Sequence, residues 1–110
     1  MPIYKIFRAP EWEAMQAQGH TAGAPIDLTD GYVHLSTAAQ VEDTAARHFA
    51  GEQGLVLLAV DDAGMAPDIR WEPARGGELF PHLYRDLRMA DVLWSAPLPW
   101  EGERHRFPPL

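Results

Sequence analysis

The sequence predicts a single α+β domain in which two early helices pack on a mixed, mostly antiparallel sheet. Three observations point there. A chain of 110 residues suits one compact domain, and 46% apolar residues can fill a real core. The patterning runs strand, helix, strand, helix, then four strands. The late strands are joined by segments too short for crossover helices, which favours antiparallel pairing.

Each element has its own signal. "PIYKIFR", residues 2–8, is apolar on both faces, with Ile3 and Phe7 on one and Tyr4 and Ile6 on the other, so it reads as a covered strand. "APEWEAMQAQG" reads as a helix with Pro10 in its first turn, Glu11 and Glu13 near its positive end, and Gly19 as its stop. Trp12 and Met15 supply its buried stripe. Turn formers fill residues 20–31 and predict a loop. "YVHLS" is the next strand, and Thr37 with Gln40 fits a capping box that starts a helix at Ala38. Ala38, Val41, Ala45 and Phe49 share one face of that helix. "GLVLLAV" is a central strand, followed by "DIRWE", "ELFPHLY" and "DVLWS", the second of these weakened by Pro81. The domain is expected over residues 1–96, with an extended, proline-rich tail over 97–110.

Composition narrows the function classes. The net charge of -7 argues against a nonspecific grip on nucleic acid or anionic membrane. A local cationic pocket remains open, because six of the eight arginines lie beyond residue 69. With no cysteine there is no thiol chemistry and no thiolate metal site. No apolar run spans a bilayer and no signal peptide is recognisable, so the expected location is the cytoplasm.

Side chains alternate faces along a strand, so Tyr32, His34 and Ser36 share one face of "YVHLS". Ser36 stands where the strand meets a helix start, a place that suits an anion or polar ligand atom. Phe80, His82 and Tyr84 share a face of the later strand, and Arg70 and Glu72 share a face of "DIRWE". Taken singly, each has an ordinary structural use. A strand histidine can be a hydrogen-bonded core residue, Ser36 can help cap the helix, and Glu72 can be a solvated edge carboxylate. Lys5, the only lysine, can reach water past its stem, and Asp27 in "PIDLTDG" can be a turn former. No metal is expected, since no HxH, HxxxH or HExxH pair occurs. The GxSxG elbow of a serine hydrolase is also missing.

The ordered set "IYKI", "DGYVHLSTAAQV", "LVLLAVD" and "WEPARGGELFPHLY" resembles a small, mainly bacterial family classed only as a domain of unknown function, number 952 in its series. The resemblance covers Ile3 to about Val92, and its most specific pieces are DG-x-x-HLST and FPHLY. That family is distantly similar to the ADP-ribosyltransferase superfamily, which implies an ADP-ribosyltransferase-like fold and NAD as cofactor or substrate. It implies a catalytic carboxylate at Glu72, or alternatively Glu78, to stabilise a cation at the reacting ribose. His82 would serve as acid or base, while His34 and Ser36 would bind a ribose hydroxyl or phosphate. Tyr84 would stack on nicotinamide, Arg70 and Arg75 would meet a pyrophosphate, and Lys5 stands where the superfamily offers histidine or arginine to the ribose. The alternative is a noncatalytic binding domain for a nucleotide or small phosphate ligand.

Overall fold

The computed structural model describes all 110 residues. Its α-helices and strands run β1 (Pro2–Arg8), α1 (Ala9–Gln18), β2 (His20–Thr21), α2 (Pro25–Asp30), β3 (Val33–His34), α3 (Ala38–His48), β4 (Leu55–Asp61), β5 (Ile69–Pro73), β6 (Leu79–Leu83), β7 (Leu87–Arg88) and β8 (Val92–Leu98). The fold is α+β, as the patterning predicts. Every strand pairing is antiparallel, so the sheet is not mixed. There are two three-stranded sheets, in the orders β1-β4-β8 and β3-β6-β5, and a small β2-β7 pair.

The first sheet is covered on both sides, which explains the apolar faces of β1. Tyr4, Ile6, Leu55, Leu57, Ala59 and Leu98 pack with Val41 and Ala45 of α3. On the other side Ile3, Phe7, Leu58 and Val60 pack with Met15 of α1 and with Val33, Leu35 and Leu83 from the second sheet. The two sheets are joined where Tyr4 and Ser36 exchange backbone hydrogen bonds of 2.7 and 2.9 Å.

Three expectations need correction. The loop expected over 20–31 contains the short helix α2, which begins with Pro25 and ends at Gly31 in the left-handed conformation. The strand expected to be weakened by Pro81 is β6, the middle strand of its sheet. Its Pro81 carbonyl accepts from Leu35 N–H, just beyond the two residues of β3 that pair with β6. The N–H and C=O of one strand residue point the same way, so the missing donor falls where β3 has already run out. Finally, the last strand, expected over Asp91–Ser95, runs over Val92–Leu98 as β8. From Pro99 onward there is no further helix or strand beyond a Trp100–His105 bridge.

Candidate functional site

The site is built where β1, β3, β6 and α2 converge. Its hub is Asp27, buried on the inward side of α2. One carboxylate oxygen accepts from Lys5 Nζ at 2.7 Å and from Ala24 N–H at 2.7 Å. The other accepts from the His34 backbone N–H at 3.0 Å and meets His34 Nδ1 at 2.6 Å. Lys5 also donates to the His34 carbonyl at 3.0 Å. Asp27 is therefore not a mere turn former, and Lys5 does not reach solvent past its stem. Burial works to raise the Asp27 carboxyl, but the hydrogen bond from His34 and the charge and hydrogen bond of Lys5 outweigh it and hold it below the ordinary range. Burial also pulls the Lys5 ammonium below its usual value, against the opposing pull of Asp27.

His34 and His82 are direct cross-strand partners in the β3–β6 ladder. Their ring centroids lie 5.5 Å apart. Each has a carboxylate at Nδ1: Asp27 for His34, and Glu72 at 2.8 Å for His82. Glu72 also accepts from the Tyr84 hydroxyl at 2.6 Å. The Tyr84 and His82 hydrogen bonds hold the Glu72 carboxyl below its usual range, and the same bond raises the Tyr84 phenol. Tyr32 completes the group, with its ring 4.6 Å from His34, 4.1 Å from His82 and 5.2 Å from Tyr84. Strand alternation thus places these aromatic rings on one face.

A cleft of about 620 Å³ opens beside this face. His34, Ser36, His82, Lys5 and Arg75 line it, together with apolar Ile26, Val41, Phe49 and Phe80. Arg75 lies over the Phe80 ring at 4.9 Å and reaches across to α3, with Nη2 donating to Thr44 Oγ1 at 3.2 Å and Nε 3.3 Å from Asp43. Ser36 Oγ is 3.0 Å from the same Thr44 hydroxyl. Glu72, Tyr84 and Arg70 are not among the lining residues; they stand beside His82, with Arg70 stacked over the Tyr84 ring at 4.7 Å. Of the two glutamates considered for the carboxylate role, Glu72 is the one beside His82. Glu78 lies instead 3.5 Å from the Gln40 carboxamide.

Sequence reasoning missed Asp30, Thr44 and His48, all on the cleft wall. The Asp27–Asp30–His34 spacing was the available signal for the first of these. It had no meaning until residues 25–30 were known to be helical and to turn back onto β3. No group of three or more His, Asp or Glu side chains is arranged to hold a metal ion.

A family model described as "Protein of unknown function (DUF952)" matches residues 6–95. The X-ray structure of protein CC0527 from Caulobacter crescentus, a structural-genomics target, is 43% identical with a TM-score of 0.93, covering 96% of this chain and 94% of that one. The solution NMR structure of CC0527 is 44% identical with a TM-score of 0.84, covering 94% and 90%. No curated protein matches the chain.

Proposed function

The chain belongs to the DUF952 family, and we propose that its cleft binds a nucleotide-type phosphate ligand of the NAD or ADP-ribose class. One observation carries this reading. A single cleft combines apolar surface for a base or ribose face with His34, Ser36, His82 and the Arg75 guanidinium as polar anchors. Its volume of about 620 Å³ falls within the range of small-molecule sites, roughly 300–1,000 Å³. Arg75 supplies a fixed cation, already stacked on Phe80, to meet a phosphate. Lys5 lines the cleft too and fixes His34 through Asp27. A net charge of -7 makes nonspecific nucleic-acid binding an unfavourable use of the same residues.

A second reading is ADP-ribosyl transfer or NAD cleavage, and the paired Glu72 favours it. Loss of nicotinamide breaks the ribose C–N bond and leaves an oxocarbenium-like cation, which an ionised carboxylate stabilises. Glu72 is held ionised beside His82 by the Tyr84 and His82 hydrogen bonds. It would have to approach the cleft past the His82 ring to serve.

Thermal denaturation with NAD, ADP-ribose, AMP, 2′-phosphorylated RNA ends and divalent metals tests the binding reading. A ligand of the folded state present at about 100 times its Kd stabilises by about 2.7 kcal/mol, a shift of many degrees for a domain of this size. Arg75→Ala should abolish most of that shift. A flat response to all four nucleotide compounds rejects the reading. Chromatographic release of nicotinamide from NAD separates transfer from binding.

A further inference from the structure

Arg75 stands in the connection between β5 and β6, and its guanidinium crosses to α3. That connection is held by its own hydrogen bonds. Ala74 N–H donates to the Glu78 carbonyl at 2.9 Å, and Gly77 N–H to the Ala74 carbonyl at 2.9 Å. The backbone is thus pinned, and the movable part is the side chain. A guanidinium has two edges from which paired N–H groups can grip an oxyanion, Nε with Nη2 and Nη1 with Nη2. Both edges already meet α3. Nη2 donates to Thr44 Oγ1 at 3.2 Å, Nε lies 3.3 Å from Asp43 Oδ2, and Nη1 lies 3.4 Å from His48 Nε2. Phe80 takes the flat face, its ring centre 4.9 Å away. A phosphate gains a two-point grip on this arginine only by displacing a group of α3.

Asp43 is the one carboxylate among those three groups, so it competes with a phosphate for the same cation. Its Oδ2 is also shared. Arg47, one helical turn on, donates from Nε to that oxygen at 2.9 Å. Arg75 lines the cleft and Arg47 does not. One oxygen is therefore divided between a cation inside the cleft and a cation outside it. The charge of Arg47 offsets part of the field that Asp43 exerts on Arg75.

We propose that Asp43 is an inhibitory contact on the phosphate-gripping arginine, with Arg47 as its counterweight. The inference rests on the reading of Arg75 as a phosphate anchor and adds how that anchor is engaged. As a phosphate enters, its oxygens replace Asp43 on the Nε edge, while the Phe80 stack keeps the guanidinium plane in place. Asp43 keeps Arg47 as its partner, so its charge is not left alone. The exchange swaps one ion pair for another without opening a loop. Asp43 is exposed, so the pair that it gives up is weak, and a doubly charged phosphate outcompetes it. Opposite effects follow for two residues on one turn of α3. Losing Asp43 removes the competitor and tightens binding. Losing Arg47 frees Asp43 to hold Arg75 and loosens binding.

The test measures AMP and ADP-ribose binding by calorimetry, scored with whichever probe the parent protein holds more tightly. Asp43 and Arg47 are both exposed, so their variants should fold, and thermal midpoints verify it. Asp43→Asn should tighten the dissociation constant by about threefold to fivefold, the range of one exposed ion pair. Arg47→Gln should loosen it, and should lose that effect when Asp43 is already asparagine. Glu42→Gln removes an exposed charge from the same helix without this contact and should leave binding unchanged. No binding of either probe by the parent rejects the phosphate site and this inference together. Binding that Asp43→Asn weakens, or changes by less than about twofold, overturns the inference and leaves the site standing. An Arg47→Gln variant that binds no more loosely than the parent overturns it too. So does an Arg47→Gln effect equally large with and without Asp43, or a Glu42→Gln gain matching that of Asp43→Asn. Either result would reduce the effect to the net charge of the helix.

Discussion

Asp27 accepts from a lysine ammonium, a histidine ring and two backbone amides, and so ties α2 to β1 and β3. Replacing it with asparagine leaves Lys5 charged and buried without a counter-ion. Asp27→Asn should therefore cost about 3–5 kcal/mol, read from urea unfolding at neutral pH. The pH dependence has a definite sign. A carboxyl whose folded value lies below its unfolded value of about 3.9 contributes stability above that pH. That contribution is lost as pH falls through the folded value. The unmodified protein should thus lose stability steeply below about pH 4, and Asp27→Asn should lose less over the same interval. Equal acid slopes would refute the assignment. This hub was not legible in the sequence. Lys5 and Asp27 are 22 residues apart, and nothing local distinguishes a paired aspartate in "PIDLTDG" from a turn former. The facing of His34 and His82 was legible, because strand parity alone puts each on a defined side.

At the scale of elements, the longer strands and helices were readable and the short ones were not. α3 carries enough apolar repeats to reveal its face, β1 and β4 are near-continuous apolar runs that mark covered strands, and α1 was readable from Pro10, Glu11 and Gly19 at its ends. α2 has six residues and β2 and β7 two each, too short for any period to emerge. The start of α3 shows how a local signal also serves a distant contact. Gln40 accepts from Thr37 N–H at 3.1 Å, the half of the capping box that runs back to the helix start. Its amide nitrogen donates to the Leu79 carbonyl at 2.9 Å, which ties α3 to β6. Gln40→Ala should leave both groups unpaired at a buried position, costing about 1–3 kcal/mol in a denaturation experiment. Gln40→Glu keeps the acceptor and loses the donor, so it should fall between the two. If the alanine variant matches the parent, the tie to β6 contributes nothing.

The whole molecule closes through its C-terminal segment. Phe107 packs against the core cluster under α3, and His105 is buried with Nε2 2.9 Å from the Glu52 carbonyl. Trp100 meets the His105 ring edge-on at 4.9 Å. Removing residues 99–110 should lower stability by about 1.5–3 kcal/mol, the scale of burying one large apolar side chain. Thermal unfolding would register it, and an unchanged midpoint would mean the segment rests on the surface without holding it. The proline content announced an extended strip, yet it carried no information about where that strip lies. Its docking depends on α3 and β8 already being in place.

Because the only lysine sits at 6% exposure inside the Asp27 network, the folded surface offers amine-directed reagents no side-chain target. Acetylation by an N-hydroxysuccinimide ester should therefore reach Lys5 only during opening of β1. The rate at which Lys5 gains mass then becomes a clock for that opening, readable by mass spectrometry from a single site. Under conditions where reclosing outpaces acylation, the ratio of the Lys5 rate in native and unfolded protein gives the opening equilibrium directly. Rapid Lys5 labelling in the native protein would mean that β1 opens far more readily than its burial implies. Lys5→Arg would silence the signal and provide the background.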